Sequence, residues 1–385
     1  MKRKILHLQL LPLMSGVQRF SLLLLEGLPA DEYEIYVACK PGGEFVDAVQ
    51  NRGWNYIPLP LLRHPIGVLD LFAFLHLILV CKKYKFDIVH TNSSKTGLLG
   101  RIAARIAGTP LIIHTNHGAS FLPHQHPLIY RLYMHLDKLA GHFCDYVTFV
   151  NHSERENYLR LGLVKPEQAV TIYNAIKSRG REVERSGSLE VVKSGGLVVE
   201  GSRGSDAAKG QSLTIGSTLR FSDQKNVIAL TTYACKACDL NPGLRFILLG
   251  DGEHYELCKA IVASHHMTER ILLPGWDSVV EPWLNLFDVF ILYSRWEALP
   301  FSIIEAMHAG LPVIGSSIPS IMELVSEDVG WLVPLDNEAA FLDTMQAVAN
   351  DPATILKKGQ KAREKVQLLC DYDTMVKAYR SLYEG

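Results

Sequence analysis

Short apolar runs alternate with longer helical segments along the whole chain, and this alternation restricts the fold more than any other feature. KILHLQL, YEIYVAC, FDIVHTN, PLIIHTN and DYVTFVN read as strands in the first half, and LTIGSTL, LRFILLG, RILLPGW, DVFILYS and LPVIGSS in the second. Strands separated by helices form parallel sheets covered on both faces, so the class is α/β. Ten strands exceed one typical Rossmann-like unit. Residues 178–212, rich in Gly, Ser and charge, divide the two sets. We expect a Rossmann-like domain over 1–175, a linker or insertion over 176–212, a second Rossmann-like domain over 213–365, and a C-terminal helix over 366–385 packing back towards the first domain.

Composition narrows the function. A chain of 385 residues with 48% hydrophobic content supports two cores. Thirty-nine basic and forty acidic side chains leave a net charge of −1, which gives no reason to expect nucleic acid as a partner. The balance is uneven, with +5 over residues 1–150 and −6 over the rest. A basic first half suits an anionic membrane surface. The seven cysteines follow no regular spacing and point to a reduced, cytoplasmic interior. Cys235 and Cys238 form a lone C-x-x-C that reads as helix packing. The start, MKRKILHLQLLPLMSG, is interrupted by His7 and Gln9 and has no cleavage site, so it reads as a strand and not as a signal peptide. The apolar stretch Ile66–Cys81 has 16 residues, short of the roughly 20 that a spanning helix needs. It reads first as a buried crossover helix and second as a membrane-surface helix ending in Lys82, Lys83 and Lys85.

Ligands of such sheets collect where strands end and helices begin. Polar residues gather there: Ser15-Gly16 after the first strand, His90 to Lys95, His114 to Gly118, and Arg220 with Lys225. The stretch SRWEALPFSIIEAMHAGLPVIG places Glu297 in a loop and Glu305 on the following helix, with Pro300 in its first turn and Gly310 as terminator. A helix N-terminus favours phosphate, and nearby glutamates can bond sugar and ribose hydroxyls. Taken alone, the two glutamates read first as charge compensation at a helix start plus a surface residue.

They are not alone. Glu297-Ala-Leu-Pro-Phe-Ser-Ile-Ile-Glu305 resembles the E-x7-E signature of retaining glycosyltransferases of family 4. HTNSSKTGLLGR from His90 to Arg101, HTNHG from His114 to Gly118, Arg220 with Lys225-Asn226, LLGDGE from Leu248 to Glu253, and Gly275-Trp276 match in order. The resemblance covers nearly the whole chain apart from 178–212. It implies a GT-B fold, two Rossmann-like domains with parallel sheets facing across a cleft, and a nucleoside-diphosphate sugar held mainly by the second. It further implies that Arg220 and Lys225 neutralise the donor diphosphate, Glu305 binds ribose, Glu297 contacts the transferred sugar and His117 faces the reacting carbon. Gly16, Gly250, Gly275, Ala298, Leu299 and Pro300 are carried over as donor-binding positions.

Three positions depart from the family pattern: Ser15 and Ala298 stand where glycine is usual, and Ala175 follows Asn174 where glycine is common. No metal and no cofactor are expected. The one D-x-D string, Asp371-Tyr372-Asp373, reads as helix capping, and His124, His126, His135 and His142 match no ligand spacing. The resemblance points to cell-surface polysaccharide synthesis, with a glycan or polyprenyl-linked acceptor reached from the cytoplasm at the inner face of the membrane. A nucleotide-sugar epimerase of the same fold and a non-catalytic sugar-binding protein are the alternatives.

Overall fold

The computed structural model describes residues 2–62, 67–122, 125–177, 189–192, 198–201 and 212–385. In chain order the elements are β1 (Arg3–Leu8), α1 (Gly16–Glu26), β2 (Tyr33–Cys39), α2 (Glu44–Asn51), β3 (Asn55–Pro58), α3 (Leu69–Tyr84), β4 (Ile88–Asn92), α4 (Ser94–Ala107), β5 (Leu111–Asn116), α5 (Pro127–Gly141), β6 (Tyr146–Phe149), α6 (His152–Arg160) and β7 (Ala169–Thr171). A hairpin follows, β8 (Leu189–Val192) and β9 (Val198–Gly201). Next come β10 (Leu213–Thr218), α7 (Val227–Leu240), β11 (Leu244–Leu249), α8 (Tyr255–Ser264), β12 (Ile271–Gly275), α9 (Glu281–Leu284), β13 (Val289–Leu292) and α10 (Phe301–His308). The chain continues through β14 (Val313–Ser316), α11 (Pro319–Leu324), β15 (Gly330–Val333), α12 (Glu338–Asn350), α13 (Pro352–Leu369) and α14 (Tyr372–Glu384).

These elements form two units, Met1–Lys177 with Tyr372–Gly385, and Ser178–Asp371. The first unit holds a seven-stranded sheet in the order β3-β2-β1-β4-β5-β6-β7, every pairing parallel. The second holds a six-stranded sheet in the order β12-β11-β10-β13-β14-β15, also parallel throughout. Both are Rossmann-like, and all ten strands expected from apolar runs are present. Three short strands, β3, β7 and β15, were not expected. Each lies at a sheet edge, where one flank is unpaired and the apolar signal is weak. The segment expected as a linker contains the antiparallel β8–β9 pair. The last helix starts at Tyr372, because residues 366–369 finish α13.

The core follows from the sequence. Ile5, Leu6 and Leu8 of β1, and Val37, Ala38 and Cys39 of β2, are fully buried, as central parallel strands require. Helix starts are chemically marked: Asn151 Oδ1 accepts the Glu154 N–H at 2.6 Å and Asp351 Oδ1 the Thr354 N–H at 3.1 Å. Such a cap is worth about 1 kcal/mol. Gly97 and Gly100 of α4 pack on the sheet, where a Cβ at Gly97 would lie 2.6 Å from His114 and one at Gly100 2.4 Å from Leu8. All seven cysteines are buried and free; Cys238 Sγ donates to the Leu244 carbonyl.

α14 completes the first unit. Tyr383 OH lies 2.6 Å from His90 Nδ1 and 3.2 Å from His7 Nε2. Tyr379 OH lies 3.1 Å from Thr115 Oγ1 and 3.0 Å from Thr148 Oγ1. His90 Nε2 joins the two groups through Thr115 Oγ1 at 2.7 Å. A buried polar network of this kind specifies one docking position for the helix.

Candidate functional site

The second sheet reverses its strand order between β10 and β13, the point at which α/β sheets open a crevice beyond their C-terminal edge. The loop after β10 carries Arg220 and Lys225, and the loop after β13 carries Glu297. The structure joins them: Lys225 Nζ donates to Glu297 Oε1, which also accepts from Ser294 Oγ at 2.7 Å. The side chains of Lys225 and Glu297 are only 16% and 7% exposed, so each depends on the other for charge balance.

Backbone contacts hold the two loops in register. The Arg295 N–H donates to the Gln224 carbonyl at 2.8 Å, and Gln224 Nε2 donates to the Trp296 carbonyl at 3.0 Å. Ser316 Oγ of the neighbouring strand donates to the Ser294 carbonyl at 2.6 Å. Arg220 is exposed and has no side-chain partner among the described residues. Ala298 is half-buried, Leu299 and Pro300 are buried, and Pro300 precedes α10 as its cap instead of sitting in its first turn. Glu305 is half-buried on the second turn, while Ile303, Ile304, Ala306 and Met307 seat the opposite face in the core.

Gly250 has a mechanical reason to be glycine. Its φ is +145°, and a Cβ there would lie 1.8 Å from the Leu219 carbonyl oxygen. The Gly250 N–H donates to the Gly275 carbonyl at 3.0 Å, and Gly275 has φ of 83°. The turn after β11 is thereby pressed against the residue preceding Arg220. Beside it, His254 Nε2 lies 2.8 Å from Asp223 Oδ1 and 3.7 Å from Glu253 Oε1. Among the described residues this is the one trio spaced to hold a metal ion, but its exposed carboxylates are solvated and already paired with His254.

The first sheet reverses between β1 and β4. Gly16 is the exposed first residue of α1, so a backbone N–H edge faces the end of β1. After β4, Ser93 has φ of 70° and ψ of 153°, a conformation costing a non-glycine residue about 1–3 kcal/mol. After β5, His117 Nε2 donates to Asn92 Oδ1 at 3.1 Å, and its ring meets Phe20 edge-on at 4.8 Å. Burial pushes the His117 imidazole down to about 3. The ring is neutral at physiological pH and is held by its hydrogen bond to Asn92. Gly118 turns back with its N–H on Asn116 Oδ1 at 2.7 Å, and Ser120 Oγ donates to Asp137 Oδ2 at 3.0 Å.

Within the second unit, the predicted residues Arg220, Lys225, Gly250, Glu297, Ala298, Leu299, Pro300 and Glu305 lie on loops and a helix at one sheet edge, and Gly275 ends β12 there. Gly16 and His117 occupy the corresponding edge of the first. His90, His114 and Thr115, which share the same polar motifs, point into the interior and hold α14 and α4. Asn92, noted among the polar residues from His90 to Lys95, is the partner of His117 in the first unit; sequence reasoning gave no role to Gln224 and Ser294 in the second. Their only signal was a polar residue just past a strand.

Comparison with known proteins identifies the family and the fold. Residues 14–178 match the model of Glycosyltransferase Family 4, and residues 212–351 match Glycosyl transferases group 1. The Escherichia coli UDP-Gal:alpha-D-GlcNAc-diphosphoundecaprenol alpha-1,3-galactosyltransferase is 32% identical over 355 residues, covering 91% of this chain and 89% of the relative. The amylovoran biosynthesis glycosyltransferase AmsK of Erwinia amylovora is 27% identical over 184 residues, 45% of this chain and 44% of AmsK. Among solved structures, Anabaena HepE in complex with UDP and glucose superimposes with a TM-score of 0.79 at 18% identity over the full length of both chains, which establishes the GT-B fold. The chain therefore belongs to the family 4 glycosyltransferases, and the paired Lys225 and Glu297 lie at the switch point of its group 1 unit.

Proposed function

We propose that the protein transfers a hexose from a UDP-sugar, with retention of configuration and without a metal ion, to a polyprenyl-diphosphate-linked sugar acceptor in cell-surface polysaccharide synthesis. The observation that carries this reading is the buried Lys225–Glu297 pair at the β10/β13 switch point, just before α10 begins, with Arg220 on the same loop as Lys225. The relative at 32% identity, whose name specifies a UDP-linked donor and a diphosphoundecaprenol acceptor, supports the choice of substrates.

Departure of a nucleoside diphosphate builds negative charge on the leaving oxygen, and fixed cations aimed at it lower the barrier. Arg220 and Lys225 supply those charges. A diphosphate reaching Lys225 competes with Glu297 for the ammonium, so donor binding releases the carboxylate to accept from a sugar hydroxyl. The C1–oxygen bond to the diphosphate breaks, the acceptor oxygen bonds C1 on the same face, and the acceptor proton passes to a phosphate oxygen. His117, held neutral, donates or accepts a hydrogen bond near the sugar. Glu305 binds the ribose diol, and the enzyme works at the inner face of the cytoplasmic membrane.

A thermal-shift screen over UDP-, GDP- and ADP-sugars tests the donor, since a ligand at 100 times its Kd adds about 2.7 kcal/mol. Stabilisation by UDP-sugars alone, followed by transfer to a polyprenyl-diphosphate sugar with excess EDTA present, is the expected result. Stabilisation by GDP- or ADP-sugars in their place refutes the donor assignment, and loss of transfer in EDTA refutes the metal-independent step.

A further inference from the structure

α3 carries apolar residues on every side, yet only one side of it is covered. Ala73, Leu77, Val80 and Cys81 are buried, as a crossover helix requires. Phe72 and Leu79, on the other side, are 53% and 65% exposed, with Leu71 and Leu75 completing an i, i+4 stripe. α5 repeats the pattern with Leu128, 68% exposed, and Leu132 and Leu139. Both helices pack on α4, which lies between them.

Charge on the two helices is distributed to match. Their acidic residues are turned inward and engaged: Asp70 pairs with Lys95 at 2.5 Å, and Asp137 accepts from Tyr158 OH at 2.9 Å and from Ser120 Oγ at 3.0 Å. Lys82, Lys83, Arg131 and Lys138 are all exposed, and none forms an ion pair with a described residue. Among the described residues no helix is long and apolar enough to cross a membrane, so the leucines are not part of a span. Aliphatic stripes bordered by lysine suit lipid better than protein, because protein interfaces are depleted in lysine and favour aromatic anchors.

We propose that the α3/α5 face of the first unit is a docking surface for an anionic phospholipid bilayer, with Phe72 and the exposed leucines entering the headgroup boundary and the four cations resting on lipid phosphates. The inference deepens the proposed function, on which it rests, by naming the surface that meets the membrane. Each basic group near such a surface changes partitioning by roughly fivefold, with an effect that salt weakens.

The test is co-sedimentation of the full chain with phosphatidylcholine vesicles, with and without phosphatidylglycerol, at low and high salt. Binding should require phosphatidylglycerol and weaken with salt. It should fall at least about a hundredfold when Lys82, Lys83, Arg131 and Lys138 are changed to Gln, and also fall in a Phe72→Ser, Leu132→Ser variant. Exchanging Lys236, Lys259, Lys357 and Lys361 for Gln should change it little. UDP-sugar thermal shifts of every variant, read beside the wild type, report folding and the donor site independently. Variants that keep the donor shift but sediment like wild type overturn the docking surface alone, whereas a wild type with no donor shift overturns the proposed function. Equal binding to neutral vesicles, or lipid-free self-association abolished by the serine variant, also overturns the docking surface and leaves the proposed function standing.

Discussion

In the proposed mechanism Lys225 serves two partners, Glu297 and the donor diphosphate, and this makes its role measurable. Replacing Arg220 or Lys225 by Ala should lower turnover by at least ~10²-fold with the fold intact. Glu297→Gln should lower turnover similarly while leaving UDP affinity unchanged or tighter, because it removes the competitor for the ammonium. Glu305→Gln should instead weaken UDP itself. Isothermal titration with UDP beside steady-state transfer rates separates these cases, and equal loss of UDP affinity in both glutamate variants would contradict the division of labour. The sequence placed Arg220, Lys225 and Glu297 just past strands, where the structure has them, while their roles toward a diphosphate donor came from the family resemblance alone. Ser294 and Gln224 were not legible, since small polar residues in loops serve many ends and only the fold shows which carbonyl or carboxylate they meet. The same limit hid the second use of the histidine motifs: His117 reaches the sheet edge, while His90 and His114 face inward.

At the scale of elements, the buried histidines make the first unit sensitive to acid. Burial, with the His117 ring nearby, holds His7 down to about 3, and burial also pulls His90 and His114 well below the usual value. These groups bind protons in the unfolded chain before they do in the folded one. Stability is therefore full above about pH 6.5 and is lost as pH falls towards their folded values, by up to about 1.4 kcal/mol per pH unit for each histidine. Glu154 acts in the opposite sense. Burial, with Asp137 adding, raises it to about 7, so its contribution is lost as pH rises from about 4.5 to 7, but one carboxyl is outweighed by several imidazoles. Urea midpoints should fall from pH 6.5 to pH 4.5, and a flat profile would refute the assignment. Tyr383→Phe, which strips a partner from His7 and His90, should cost about 1–3 kcal/mol at pH 7.5. The central strands behind this network were readable from apolar runs alone. The edge strands β3, β7 and β15 were not, because pairing on one side asks little of three or four residues.

The whole molecule has an order of assembly written into its connectivity. Unit two, Ser178–Asp371, is continuous, but unit one is split, and α14 returns to it only after unit two has been traversed. A fragment spanning 212–371 should therefore fold cooperatively by itself. Residues 1–177 should not, and a peptide of residues 372–385 added in trans should raise their helicity and sharpen their urea transition. Indifference to the peptide would show that α14 is dispensable. During synthesis the split has a temporal meaning. The ribosome extends the chain by roughly 5–20 residues per second, so β1, β4 and β5 are made about 13–75 s before the tyrosines that close their buried histidines and threonines. Throughout that interval the leading half is an unfinished sheet with a polar seam, a natural client for a chaperone, while unit two is still being made.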